Sequence, residues 1–336
     1  MKRQLGRADN AIEVSALGMG CWAIGGPWSI LRENGPSPAG WGDVDDAESI
    51  RAIHAALDAG ITFFDTAANY GCGHSEEILG KALGDRRRDV VIATKFGHRI
   101  DPETKIMHGD DDVIAERLRQ DCEDSLRRLN TDYIDLYQLH AGSLDPEKAI
   151  PVRELLEELV AEGKIRAYGW STDHLDRAKV FAEGGSCASI QFSLNVFNDN
   201  PESVALCEAS DLACINKKPL ASGILTGKYT AETTFPENDM RHAVDFTDPR
   251  FGGMLKMVDG LRDVLTSGGR TPAQGALAWI WARSGRTIPI PGARNEKQVT
   301  ENAAAMAHGP LTPAQFEEAN RIVASIREEL AREQDA

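Results

Sequence analysis

Eight times along this chain a short apolar run gives way to a longer stretch with helical periodicity. That alternation restricts the fold more than any other feature of the sequence. The apolar runs fall at about residues 16–22, 61–65, 89–95, 132–139, 164–170, 187–191, 212–216 and 286–290, each of strand length. The stretches between them include "DAESIRAIHAALDAG", "SEEILGKALG", "RLRQDCEDSLRRL", "IPVRELLEELVAEG", "HLDRAKVFAEGG" and "TPAQGALAWIWARSG". In the third, Leu118, Cys122, Leu126 and Leu129 share one helical stripe. Thr271 to Gln274 reads as a capping box with proline at the first helical position. Strands that alternate with helices pair in parallel. Eight of them without an internal repeat predict a closed (β/α)8 (TIM) barrel, a fold that takes residues 1–336 as a single domain. The first 15 residues are expected to form a hairpin capping the barrel bottom, and residues 312–330 an extra terminal helix. Two connections are long: residues 23–44 after the first strand, and residues 221–269 after the seventh, with a helical piece near 253–266. Loops of that length in a compact domain usually serve a ligand.

Barrel sites sit where the strands end. The second strand ends at Asp65, the third at Lys95, the fourth at His140, the fifth at Ser171 and the sixth at Gln191, with Tyr70 five residues beyond Asp65. A carboxylate at the end of a buried strand is costly to desolvate, so Asp65 needs a partner. Lys95 can be that partner, kept charged by Asp65 and placed to lower the pKa of a neighbouring phenol. Tyr70 can then protonate an oxygen that His140 helps to orient. Such a set stabilises a developing alkoxide without a metal, as hydride delivery to a carbonyl requires. A single charged strand end is more often a structural ion pair. Titratable groups gathered at three consecutive strand ends favour the chemical reading.

The net charge is −15, which sets nucleic acid and anionic membranes aside as partners. An anionic ligand then requires a local basic patch. The turn "NKKPLASGILTGKY" after the seventh strand and "IPIPGARNEKQVTEN" after the eighth supply one, at the place where barrels commonly hold phosphate. Gly223 permits close backbone approach, Ser222 offers a hydroxyl and Lys228 a charge, while Arg294 precedes a helix N-terminus. Gly18 to Ala23 fits the dinucleotide fingerprint G-x-G-x-x-A, yet it runs into Gly25-Gly26-Pro27, which cannot open a helix, so the match is rejected. The six cysteines are scattered, no secretory h-region opens the chain, and no run spans a membrane; a cytoplasmic location and no bound metal are expected.

With these residues in view, the chain resembles the aldo-keto reductases over nearly its whole length. The matching stretches are "FDTAANYGCGHSEEILGKAL", "ATKFG", "DYIDLYQLH", "IRAYGWST", "PLASGILTGKY" and "IPIPGARNEKQVTEN". The resemblance implies metal-free hydride transfer between NADP(H), with NAD as a secondary cofactor, and a small carbonyl or alcohol substrate such as an aldehyde, ketone or sugar. It implies a tetrad of Asp65, Tyr70, Lys95 and His140 with Tyr70 as proton donor. It also places Ser171 and Gln191 on the nicotinamide carboxamide and Trp22 beside its pocket. Leu220, Ser222, Gly223 and Lys228 fall along the pyrophosphate, and Arg294, Gln298 and Asn302 at the adenosine end. A regulatory barrel that binds the nucleotide and acts on a protein partner is the alternative within the same resemblance. Three positions depart from the family's pattern. Thr172 stands where many members have asparagine, Lys217 where many have an aromatic residue that stacks on the nicotinamide, and Gln298 where many have a basic residue. Arg294 is thereby left as the main candidate for a 2′-phosphate.

Overall fold

The computed structural model describes residues 1–109 and 113–334. A hairpin of strands β1 (Lys2–Leu5) and β2 (Ile12–Ser15) precedes the barrel. Strand β3 (Gly18–Gly20) opens the barrel, and the loop after it carries β4 (Ser29–Arg32) and β5 (Gly35–Pro38). Helix α1 (Asp46–Asp58), β6 (Phe63–Asp65), α2 (His74–Leu83) and β7 (Val91–Phe96) follow. A second excursion forms β8 (Arg99–Asp101) and β9 (Ile106–His108) before α3 (Ile114–Leu129) and β10 (Ile134–Leu139). Then come α4 (Pro146–Ala161), β11 (Ile165–Ser171), α5 (Leu175–Ala182), β12 (Cys187–Ser193), α6 (Pro201–Ser210) and β13 (Ala213–Lys217). The chain ends with α7 (Pro249–Thr266), α8 (Pro272–Arg283), β14 (Thr287–Pro289), α9 (Glu296–His308) and α10 (Pro313–Gln334).

Among the described residues, eight parallel strands form one sheet in the order β14-β13-β12-β11-β10-β7-β6-β3. A parallel bridge between Gly20 and Gly292 brings the two edges together, so the predicted (β/α)8 barrel is the observed fold. The capping box on α8 is present with both of its hydrogen bonds. Strand period decides what each residue faces. Phe63, Val91, Ala93, Leu136 and Ala167 fill the barrel interior, together with Leu5, Ile12 and Val14 of the hairpin, which plugs the bottom. Phe64, Ile92 and Tyr137, one position along, pack against the helices instead. Two residues on from Phe63 is Asp65, and two on from Ala93 is Lys95. The same alternation that fills the core therefore turns both of them inward at the top.

The strand ends are refined in three places. Lys95 is the penultimate residue of β7, β10 ends at Leu139 one residue before His140, and β12 continues past Gln191 to Ser193. Strand β3 is shorter than predicted, because Cys21 leaves the sheet and Trp22–Ile24 form a single helical turn. The four-stranded sheet β5-β4-β9-β8 was not foreseen. Its segments are three or four residues long and one is Gly-Pro-Ser-Pro, so no periodicity announces them. His108 belongs to β9, and Cys72 is buried. The long loops meet above the barrel: Trp41 bridges Asp239, Met240 N–H donates to Gly40 O (2.8 Å), and the Arg241 guanidinium lies 4.1 Å from the Trp41 ring centre.

Candidate active site

Asp65, Lys95 and Tyr70 meet at the top of the barrel. Lys95 Nζ donates to Asp65 Oδ1 at 2.5 Å, to Thr66 O at 2.8 Å and to the Tyr70 hydroxyl at 3.3 Å. Lys95 has no exposed surface, and a buried ammonium survives only with partners of this kind. The turn that delivers Tyr70 depends on Gly71. Its φ is +61°, and a Cβ there would lie 1.8 Å from Gly25 O. Trp22 stacks on the Tyr70 ring at 5.8 Å and 13°, and its indole N–H donates to Ala39 O, so the phenol is braced from the first-strand loop. His140, just past β10, sets its ring edge against Tyr70 with 5.9 Å between centres. The four predicted residues therefore share one wall, and Asp65, Tyr70 and His140 line a cavity of about 560 Å³.

The electrostatics correct one expectation. Burial pushes the Tyr70 phenol above its ordinary value; Lys95 pulls it down and Asp65 pushes it up. Lys95 opposes the rise without reversing it, because desolvating a phenolate costs more than one ammonium shared with a carboxylate returns. Burial also lowers the Lys95 pKa, but Asp65 and Tyr70 outweigh it, and the ammonium stays charged. Burial takes His140 well below the usual histidine range, assisted by the charges of Lys95, His98 and Lys217, so its ring is neutral.

Gln138 was not singled out from sequence. Its Nε2 donates to Asp65 Oδ2 at 3.2 Å, beside Gln191 Nε2 at 2.8 Å. The signal was present: Gln138 precedes His140 by two, so strand period puts both on the inner face. Ser171 Oγ donates to Gln191 Oε1 at 3.1 Å, so these two predicted carboxamide ligands are adjacent and already joined. Thr172 turns its hydroxyl to Gly142 O, away from them. Lys217 lines the cavity and pairs with Asp173 at 3.2 Å. His98, Met107, Ile30 and Arg241, none of them anticipated, line it too; two of them come from the unforeseen small sheet.

Leu220, Ser222, Gly223, Lys228, Arg294, Gln298 and Asn302 lie along the same cavity. Ala221, Ser222 and Gly223 are successive left-handed residues (φ +48°, +57°, +96°), a backbone form that builds anion-binding concavities. A Cβ on Gly223 would lie 2.4 Å from the Tyr229 hydroxyl. Lys228 pairs with Glu301 at 3.3 Å. Gln298 Oε1 accepts from Arg294 N–H at 2.8 Å, while its own backbone N–H donates to Asn295 Oδ1. The Arg294 guanidinium donates to Asp43 O on the first-strand loop.

Residues 16–324 match the model of the aldo/keto reductase family. This chain belongs to the aldo-keto reductase family. It is 37% identical over 301 residues to the aldo-keto reductase YhdN of Bacillus subtilis, covering 87% of this chain and 85% of the relative. It is 33% identical over 320 residues to the NADH-specific methylglyoxal reductase of Escherichia coli, covering 91% and 93%. Among solved structures, the glycerol dehydrogenase AKR11B4 from Gluconobacter oxydans superposes with a TM-score of 0.81 at 32% identity, covering 96% of this chain and 95% of that one. An aldo/keto reductase from Klebsiella pneumoniae in complex with NADP and acetate gives 0.66 at 25% identity, covering 96% and 95%. An aldo-keto reductase is an NAD(P)-dependent oxidoreductase acting on carbonyl groups, and the matched proteins with a stated activity are reductases or a dehydrogenase. Nothing in them favours the regulatory alternative. Among the described residues, no helix is long and apolar enough to cross a membrane.

Proposed function

We propose that this aldo-keto reductase interconverts a small aldehyde or ketone and its alcohol with NADP(H) as the preferred cofactor and Tyr70 as the proton donor. The observation that carries this reading is the buried Asp65–Lys95–Tyr70 relay opening onto the cavity. The bound nucleotide supplies the hydride. The cavity fits it: a continuous 560 Å³ space with the left-handed turn at Ser222 and Gly223 for the pyrophosphate. Arg294, Gln298 and Asn302 line the cavity just before and within the first half of α9, suited to the adenosine end, while Trp22, stacked on Tyr70, and Gln191, which joins Ser171 to Asp65, are suited to the nicotinamide. Charge develops on the substrate oxygen as the carbonyl is reduced, and Tyr70 gives it a proton. The raised phenol pKa does not block this step, because an alkoxide is far more basic than a phenolate. Lys95 stabilises the phenolate left behind, and Asp65 keeps Lys95 charged.

The solved neighbour with NADP supports the nucleotide assignment, and the NADH-specific relative supports NAD as a secondary cofactor. Residues 1–336 read as one domain, and the six buried, unpaired cysteines support a cytoplasmic location. The test is a panel of aldehydes, ketones, sugars and alcohols, followed by the absorbance of the reduced nucleotide. No turnover with any of them would overturn the reading.

Arg294 decides the nucleotide preference. A charged hydrogen bond contributes about 1.5–3 kcal/mol, so Arg294→Ala is expected to weaken NADPH roughly 10- to 150-fold and to leave NADH nearly unchanged. Steady-state kcat/KM for both nucleotides in both proteins measures this. Equal loss for the two would mean that Arg294 serves only the contact with Asp43 O.

A further inference from the structure

Three side chains hold the Asp65 carboxylate. Lys95 Nζ donates to Oδ1, while Oδ2 accepts from Gln191 Nε2 at 2.8 Å and from Gln138 Nε2 at 3.2 Å. A carboxylate only accepts, so each amide turns its nitrogen to Asp65. The two amides differ in everything else. Gln191 is joined to Ser171 and lines the cavity, where a nucleotide can reach it. Gln138 is fully buried and stands outside the cavity lining. It is the register neighbour of Lys95 on β7, and its amide reaches Asp65 on β6, two strands away. Its Oε1 meets no donor among the described residues. The side chain therefore ties no helix or loop to the barrel; its amide serves Asp65.

We propose that Gln138 is a positioning residue: by holding Asp65 Oδ2 it fixes Oδ1 on Lys95, disperses the carboxylate charge and leaves part of the ammonium for Tyr70. The proposal rests on the role proposed for Tyr70. Lys95 Nζ divides its three donors among Asp65, Thr66 O and the Tyr70 hydroxyl. A carboxylate with an unmet Oδ2 draws more strongly on that ammonium, because its charge is less dispersed. The phenol then loses on two counts. Lys95 pulls its pKa down less, and Asp65 pushes it up more. The other titratable groups beside the phenol are Cys21, whose thiol burial pushes up, and His140, which burial keeps neutral, so neither offsets the change.

Gln138→Met keeps the length of the side chain and removes its donor. The rising limb of the pH profile for alcohol oxidation is expected to move up by roughly 0.4 to 1 pH unit, the range of one neutral hydrogen bond passed on to the phenol. Nucleotide affinity should not change, because Gln191 and Ser171 keep their places, and Tm should stay close to the wild type. A lowered Tm with an unmoved limb would make Gln138 structural and overturn the proposal. A second variant tests it should the first not fold. Gln138→Glu donates to Asp65 while the new carboxyl is protonated and repels it once ionised, so carbonyl reduction should acquire a falling limb as pH rises. A wild-type profile in that variant overturns the proposal. One readout needs no substrate. With tyrosine labelled at 13Cζ, and Tyr70 assigned by its loss in Tyr70→Phe, the Tyr70 resonance at neutral pH should differ between wild type and either Gln138 variant, since it reports the hydrogen bond from Lys95. An unmoved resonance overturns the proposal. A moved resonance without turnover in any protein would strike the proposed function and leave Gln138 as the residue that sets the Lys95–Tyr70 contact.

Discussion

Tyr70→Phe is expected to lower kcat for carbonyl reduction by about 10²–10⁴-fold, the usual contribution of a positioned general acid. The substitution removes one oxygen and keeps the ring that stacks on Trp22. The hydroxyl accepts from Lys95 Nζ, and Lys95 keeps Asp65 and Thr66 O as partners without it. Nucleotide affinity, measured by fluorescence titration, should therefore stay close to wild type while turnover collapses. A variant that retains most of its kcat would remove Tyr70 from the role of proton donor and leave it as part of the cavity wall.

Lys95→Met is expected to act on both activity and stability. Asp65 is 1% exposed, and removing its cation leaves a buried charge whose cost is about 3–5 kcal/mol. A large fall in Tm should follow. Asp65→Asn in the same chain removes the orphan charge, so the double variant should recover stability without recovering rate. The pH profile separates the two effects. Burial already raises the Tyr70 pKa, and Lys95 is the group that pulls it down. Under the role proposed for Tyr70, the phenolate is the base in alcohol oxidation, and the rate is expected to climb as pH rises through that pKa. Loss of the ammonium raises the pKa further, and the rising limb should move to higher pH or leave the measurable range. Asp65→Asn alone should move it less far than Lys95→Met, because it removes both the carboxylate that keeps Lys95 charged and the direct push of that carboxylate on the phenol, and these two effects oppose each other. A folded Lys95→Met variant with the wild-type profile would make Lys95 purely structural.

Sequence alone determined the barrel and the residues on its rim, because both follow from local periodicity. Alternating strands and helices of these lengths close in parallel. In a parallel barrel every strand ends on the same face. Asp65, Lys95 and His140 could thus be brought together without knowing a single contact, and Tyr70 followed from its place in the next turn. The glycine-rich turn after the seventh strand and the arginine before α9 were legible in the same way. Tertiary structure decided what depends on residues far apart in the chain. Asp43 and Arg294, which join the first-strand loop to the last barrel turn, are 251 residues apart. The small sheet pairs β4 with β9, short segments with no period of their own, and it carries Met107 to Asn69. The direction of the Tyr70 shift was also settled there. A list of neighbouring charges predicts a lowered pKa, whereas the depth at which the folded chain buries the phenol raises it.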